Sequence, residues 1–259
     1  MISKETFICK FSQYENNDIS KLYNKIILAE RTNKIIYTKN FLTLSVFNIL
    51  KAIEGEMKIK VYCFGVFEEF DRAMLAFSCY DEENLNYPIN VLKITNKSKF
   101  KELKHSDYLG AIMSLGIDRE LLGDIVVKEN CAYVPVVEDI RDYIIYNLSS
   151  IGKSPCSITK LEDYSLDLPK IIFEEKSIIV SSLRVDNVVS ALCNISRSKA
   201  LELIEQKKVF LNYIEILRKD KLVNLDDTLT IRGYGKFKIC NFLGKTQRER
   251  IKVLMKKYN

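Results

Sequence analysis

The sequence predicts an α+β protein with an N-terminal helical segment, a central α/β sandwich and a small C-terminal module of two helices on a sheet. Apolar residues recur at helical spacing over residues 1–56, and β-rich runs begin at residue 57. Strand-like and helix-like segments then alternate, which favours helices packed on a sheet face. The chain has 259 residues, of which 47% are apolar and 29% charged, so it is long enough for two or three domains.

Residues 1–72 are predicted to form an N-terminal, mainly helical domain. A first strand is expected within residues 57–67, and Gly55 suits the end of the preceding helix. Two sets of apolar residues carry the helical spacing: Leu22, Ile26 and Ala29, and then Val46, Leu50 and Ile53.

Residues 73–161 are predicted to form the central domain, and the acidic stretch 162–177 is predicted to be a linker. An order of strand, helix, hairpin, helix and strand is typical of a split α+β layer. The expected elements are strands at 73–80 and 88–95, a helix from residue 106 or 107 to Gly116, a hairpin within 124–136, a helix over 137–148 and a strand near 156–160.

Residues 178–259 carry a self-contained pattern. The residues Val185, Val188, Val189 and Leu192 form a stripe at i, i+3, i+4 and i+7, and Ser196 is placed to cap a second helix. Strands are expected over 209–212, 228–232 and 236–240. The segment therefore predicts two short helices packed on a small curled sheet, followed by a basic tail.

Charge is distributed unevenly along the chain. Residues 1–177 hold 23 basic and 26 acidic residues, whereas residues 178–259 hold 17 basic and 8 acidic residues. A small segment with a net charge of +9 attached to a nearly neutral body indicates a polyanionic partner. A solvated, lysine-rich surface would give the same count, so charge alone leaves both interpretations open.

Three short motifs in this basic segment resemble the S-four domain, the small RNA-binding module named after the fourth small-subunit ribosomal protein. They are Leu183-Arg184-Val185-Asp186, Ser196-Arg197-Ser198-Lys199-Ala200 and Leu225-Asp226-Asp227-Thr228. The resemblance covers roughly residues 178–240 and keeps order and spacing. Lys207 departs from it, because the family usually has glycine at this helix end, and a non-glycine residue in a left-handed cap costs about 1 kcal/mol.

Two further motifs resemble YlmH-like proteins over nearly the full length of the chain. They are the run from His105 to Glu120, continuing to Gly123-Asp124-Ile125, and Arg232-Gly233-Tyr234-Gly235-Lys236-Phe237. The resemblance implies a central domain similar to an RNA-recognition motif, attachment to the large ribosomal subunit, and a role in rescue or quality control of stalled translation. Ser106 stands where the family usually has arginine, and Val66 where a second glycine is usual.

The candidate RNA-binding residues combine this resemblance with the placement of charge. Guanidinium groups beside helix-start amides suit phosphates. The resemblance implies that these phosphates belong to structured RNA, ribosomal or transfer RNA, and not to DNA. The central domain could add His105 and Arg119. The terminal candidates are Arg184, Ser196, Arg197, Ser198, Lys199, Lys207, Lys208, Asn212, Arg218, Lys219, Arg232, Tyr234, Lys236 and Lys238.

No catalytic residues, cofactor or metal are predicted. A single histidine and seven cysteines without C-x-x-C spacing disfavour a metal site and indicate buried thiols in a reducing compartment, hence the cytoplasm. No apolar run is long enough for a membrane span.

His105 beside Asp107 could suggest acid–base chemistry, but a helix cap is the simpler role for Asp107. The alternatives are an RNA-modifying enzyme of the pseudouridine synthase or methyltransferase type, and a protein-interaction scaffold with incidental RNA binding.

Overall fold

The computed structural model describes residues 2–11, 14–98, 101–162, 168–170, 173–216 and 218–258. Helices and strands are both abundant, so the predicted α+β class is confirmed. The chain divides into two compact units, residues 1–171 and residues 172–259.

The first part of unit 1 combines helices with a small sheet. Strand β4 pairs antiparallel with β1, β2 and β3, all of which precede it in the chain. The domain boundary expected between residues 72 and 73 therefore falls at the start of a strand whose described partners belong to the N-terminal part. The elements are α1 (Lys4–Lys10), α2 (Asn16–Thr32), β1 (Ile36–Tyr37), β2 (Leu42–Thr43), α3 (Leu44–Ala52), α4 (Glu54–Met57), β3 (Lys60–Phe64) and β4 (Arg72–Ser78).

Two glycines in this part have different roles. Gly55 was expected to end a helix, but α3 already ends at Ala52 and Gly55 lies inside α4. Gly65 is required by packing, because a Cβ atom there would lie 2.0 Å from Cγ of Phe70. Val66, which stands where the related family usually has glycine, is buried against Phe41 and Met74.

The central part of unit 1 has the β-α-β-β-α-β order predicted for it. Helices α5 and α6 cover one sheet face, where Tyr108 and Ile144 are buried in one core with Leu92. The strands are antiparallel and lie in the order β6-β7-β5-β9-β8. The elements are β5 (Ile89–Asn96), α5 (His105–Met113), β6 (Val126–Lys128), β7 (Cys131–Val137), α6 (Arg141–Asn147), β8 (Ser150–Ile151) and β9 (Ser154–Leu161).

The N-terminal and central parts share a second core, which explains why they form one compact unit. Val91 and Val137 belong to a buried cluster with Phe41 and Met74 of the N-terminal part. The carboxylate of Asp124 also accepts hydrogen bonds from the backbone amides of residues 71 and 72, at 2.7 and 2.9 Å.

Unit 2 consists of two helices packed on one face of an antiparallel sheet. The described strands follow the order β10-β15-β14-β13-β11-β12. Val185, Val189 and Leu203 from the helices share a core with Leu229 and Phe237 from the sheet. The elements are β10 (Phe173–Val180), α7 (Val185–Cys193), α8 (Arg197–Glu205), β11 (Val209–Leu211), β12 (Ile214–Glu215), β13 (Thr228–Ile231), β14 (Gly235–Lys245) and β15 (Ile251–Tyr258).

Two segments of unit 2 differ from the sequence-based expectation. Strand β10 begins at Phe173, inside the stretch expected to be a linker; residues 163–167 and 171–172 of that stretch lie outside the described part of the chain. The expected basic tail is strand β15, which lies between β14 and β10. This tail forms a strand because buried and more exposed residues alternate along it: Val253 and Met255 are buried, and the residues between and beside them are more exposed.

All seven cysteines are free thiols. Cys9 is exposed, so the expectation of buried thiols is wrong for it, and the other six are of intermediate exposure. In the described part of the chain no helix is long and apolar enough to cross a bilayer. The same part holds no group of three or more His, Cys, Asp or Glu residues arranged to bind a metal ion.

Candidate nucleic-acid interface

A buried carboxylate joins the two arginines that the sequence singles out. Asp186, in the first turn of α7, accepts hydrogen bonds from Nε and Nη2 of Arg184 at 3.2 and 3.1 Å. It also accepts from Nε and Nη2 of Arg197, at 3.1 and 2.8 Å. The predicted meeting of Arg184 with the start of the second helix is therefore present in the structure.

This arrangement orders two cations without neutralising both. The Asp186 side chain is 1% exposed, whereas those of Arg184 and Arg197 are 34% and 55% exposed. Each guanidinium has five N–H donors and uses only Nε and Nη2 on Asp186, so further donors remain for a ligand. Burial alone would raise the pKa of Asp186, but the hydrogen bonds and charges of the two arginines outweigh it and lower that pKa.

The start of α8 lies next to this cluster in sequence and is open to solvent. Ser196 caps the helix, since its hydroxyl accepts a hydrogen bond from the amide of Lys199 at 3.3 Å. Ser196, Ser198 and Lys199 are all exposed. The expected helix cap is confirmed, and Lys199 adds a positive charge in the same turn as Arg197.

The end of α8 keeps a left-handed turn although glycine is absent. Lys207 has φ 56°, and its amide donates to the carbonyl of Ile204 at 3.0 Å. The amide of Lys208 donates to the carbonyl of Leu203 at 2.9 Å, which completes a Schellman motif. The turn is therefore the ordinary helix end with lysine in the left-handed position. The Lys207 ammonium lies 3.3 Å from the carboxylate of Glu215, and Lys208 is exposed.

Asn212 has a role inside the fold. Its side-chain amide donates to Asp227 at 2.7 Å, and its side-chain oxygen accepts from the amide of Thr228 at 2.9 Å. With both groups engaged, this side chain fixes the turn before β13, and we do not include it in the proposed RNA contact. Nearby, Arg218 forms a two-bond pair with Asp220, and Lys219 is exposed.

The β13–β14 hairpin presents Arg232 and Tyr234 at its tip. Gly233 has φ 88° and Gly235 has φ 125°, conformations that favour glycine. The Arg232 guanidinium carbon lies 4.9 Å from the ring centroid of Phe210, and the backbone amide of Arg232 donates to the carbonyl of Lys208. Tyr234 is 37% exposed, so part of this residue is accessible to a ligand.

Lys236 and Lys238 occupy a different surface from the helix-side arginines. They alternate along β14 with Phe237 and Ile239, which are buried in the core beneath the helices. Side chains alternate across a strand, so both lysines lie on the sheet face that points away from the helices. The sequence placed all these cations in one module, and the structure separates them into a helix-side group and a sheet-face group.

The two central-domain candidates have local contacts. The Arg119 guanidinium donates to the carbonyls of Leu122 and Gly123, at 2.7 and 3.1 Å, and so holds a loop together. The neighbouring Glu120 accepts a hydrogen bond from the side chain of Asn40 at 3.0 Å. His105 opens α5, and Asp107 accepts from the amide of Lys104 at 2.8 Å. The helix-cap interpretation of Asp107 is confirmed.

Sequence reasoning missed the residues that organise these groups. Asp186 lay in a quoted motif without a role, because its second partner is 11 residues away in the chain. Tyr213 and Tyr258, which enclose Lys236, were also missed. The alternation of basic and apolar residues in β14 and β15 was the available signal for the second surface.

Comparison with known proteins identifies the central region. Residues 82–166 match a family model described as "Putative RNA-binding domain in YlmH". Residues 82–166 are therefore similar to the RNA-binding domain of YlmH. The resemblance to YlmH-like proteins that the sequence indicated is therefore confirmed.

Two further proteins are similar to the chain. "Ribosome-associated protein quality control protein P2" from Bacillus subtilis (strain 168) is 28% identical over 207 residues, which cover 79% of this chain and 80% of the relative. The solved structure of "Cell division protein ylmH" from Streptococcus pneumoniae is 22% identical with a TM-score of 0.49, and the match covers 58% of this chain and 92% of that one.

Proposed function

We propose that this chain is a non-catalytic RNA-binding protein that binds structured RNA on the large ribosomal subunit and acts in rescue or quality control of stalled translation. The similarity of residues 82–166 to the RNA-binding domain of YlmH and the ribosome-associated relative from Bacillus subtilis support an RNA and a ribosomal partner. The basic charge of residues 178–259 supports phosphate binding by the terminal unit. The proposal places the protein in the cytoplasm, where ribosomes act.

The observation that carries the proposal is the buried Asp186 carboxylate between Arg184 and Arg197. One anion holds two partly exposed cations, so the local charge stays positive and the guanidiniums are oriented before RNA arrives. Pre-ordered arginines lose less conformational entropy on binding than free ones, and they can each grip a phosphate through two hydrogen bonds. The cluster therefore fits a rigid phosphate pair on a folded RNA.

The S-four-like arrangement extends this contact along the helix side of unit 2. Lys199 shares the first turn of α8 with Arg197, and the exposed Lys208 follows the other end of α8. Cations spaced along one helix recognise the shape and phosphates of an RNA helix or junction with little sequence readout. The proposed substrate class is accordingly ribosomal or transfer RNA with folded structure.

Sedimentation of cell extracts tests the proposal directly. The full-length wild type is expected in the large-subunit fractions of a gradient, and the double variant Arg184→Gln with Arg197→Gln is expected near the top. Arg141→Gln is the matched control, since Arg141 forms a similar two-bond pair with exposed Asp142 in the other unit. The proposal fails if the wild type migrates only with small subunits or free of ribosomes, or if the folded double variant still co-migrates with large subunits.

A further inference from the structure

The sheet face of unit 2 that points away from the helices carries a row of aromatic rings. Cross-strand partners lie on the same face, and the register joins Phe173 to Tyr258, Tyr258 to Lys236, Lys236 to Thr230 and Thr230 to Phe210. The row crosses five strands, which corresponds to four inter-strand steps of about 4.8 Å, or about 19 Å. It is long enough to contact several nucleotides of an extended strand.

Lysine ammonium groups make cation–π contacts with rings on this face. The Lys236 ammonium lies 4.4 Å from the ring centroid of Tyr258 and 5.0 Å from that of Tyr213, and it bonds the Tyr213 hydroxyl at 2.6 Å. The Lys256 ammonium lies 4.9 Å from the ring of Phe173. The Phe173 and Tyr258 rings meet edge to face at 5.0 Å. Rings and positive charges are thus interleaved along one surface.

The next row of the same face places two lysines directly opposite each other. Lys238 and Lys256 are register partners on β14 and β15. Like charges at directly opposed positions destabilise a sheet, so covering an apolar face does not by itself explain this pair. Asp226 lies 4.0 Å from Lys238, and Glu175 on β10 is the register partner of Lys256. A phosphate between the two ammonium groups would reduce their mutual repulsion.

We infer that this face, the cation–aromatic face formed by Phe173, Tyr213, Lys236, Lys238, Lys256 and Tyr258, binds an unpaired, single-stranded segment of RNA. The rings provide platforms for bases, and the Lys238–Lys256 pair provides a position for phosphate, a combination that suits single strands of any sequence. The inference rests on the proposed function and extends it, since the helix side would hold folded RNA and the sheet face an adjoining unpaired stretch.

Binding of labelled RNA to the full-length protein tests the inference. The probes are a single-stranded oligouridine of about eight nucleotides and a large-subunit ribosomal RNA hairpin. Tyr258→Leu is expected to weaken oligouridine binding about fivefold or more, and Tyr258→Phe, which keeps the ring, is expected to bind like the wild type. Neither change is expected to alter hairpin binding by more than about twofold, because Tyr258 lies away from the helix side.

A lysine pair provides a second test that does not depend on packing of the tyrosine. Lys256→Gln is expected to weaken oligouridine binding, whereas Lys257→Gln is the matched control, since Lys257 is the next residue and pairs with Phe237 on the core side. If the hairpin is bound but the wild type, Tyr258→Leu and Lys256→Gln bind oligouridine equally well, the inference is overturned. If the wild type binds neither probe, the proposed function is overturned instead. Binding of an acidic peptide, with no binding of oligouridine, would assign the face to a protein and also overturn the inference.

Discussion

The Nη2 atom of Arg197 lies 2.8 Å from Oδ2 of Asp186, a carboxylate whose side chain is 1% exposed. This contact ties the start of α8 to the start of α7 and fixes one of the two helix-side arginines. Asp186 is negatively charged, yet it supports an anion-binding surface, because its one negative charge positions two positively charged arginines.

Replacing Asp186 with asparagine should weaken binding of a structured ribosomal RNA hairpin severalfold, although the change makes the protein more positive. The arginines would keep their charge and lose their anchor, so more entropy would be lost on binding. Fluorescence anisotropy at fixed salt measures the affinity. Asp220→Asn is the matched control, since it makes the same charge change at the exposed pair with Arg218. Equal or tighter binding by Asp186→Asn than by Asp220→Asn would show that charge alone matters.

The same carboxylate should make stability depend on pH in one direction. Because the folded-state pKa of Asp186 is lowered, its ionised form stabilises the fold above its unfolded pKa of about 3.9, and this contribution is lost as pH falls through the folded pKa. Asp186→Asn should therefore be less stable than the wild type by about 1–3 kcal/mol at pH 7. Urea unfolding of both proteins should show this gap narrowing below about pH 4. A gap that stays constant or widens in acid would contradict the assignment.

The helix end at Lys207 offers a stability test. Lys207→Gly should raise the free energy of unfolding by up to about 1 kcal/mol, because glycine adopts the left-handed conformation at φ 56° without strain. Lys208→Gly removes the same charge from the next residue and should be neutral or destabilising. Thermal and urea unfolding compare the two variants. If Lys207→Gly is the less stable of the two, the ion pair with Glu215 outweighs the backbone strain.

Local sequence patterns predicted most of the elements that depend on neighbouring residues. The stripe from Val185 to Leu192 specified a helix and its buried face, and alternation in Lys236-Phe237-Lys238-Ile239 specified a strand. Long-range pairing was not predictable in the same way. Strand β10 pairs with β15 from the other end of the unit; Ser177, for example, is the register partner of Leu254. These two strands are far apart in sequence, so local patterns do not reveal their pairing.

The candidate site was predictable in its residue types and less so in its arrangement. Arg184, Arg197 and Lys199 were identified from charge and motif, and the structure joins the two arginines. Asn212 was also among the predicted RNA-binding residues, but its side-chain amide donates to Asp227, 15 residues away, and that partner could not be inferred from composition. Division of the cations between two faces required the strand register, which fixes the direction of Lys236 and Lys238.

The salt dependence of RNA affinity shows whether Arg184 and Arg197 contact phosphate. Each phosphate contact that is lost should flatten the plot of log affinity against log salt by about 0.7–0.9, so Arg184→Gln with Arg197→Gln should lower the slope by about 1.4–1.8. The measurement uses the full-length protein and a large-subunit ribosomal RNA hairpin between about 50 and about 200 mM potassium chloride. We expect this loss of slope together with weaker binding to every structured RNA. An unchanged slope in the folded double variant would contradict it, because Arg184 and Arg197 would then not contact phosphate.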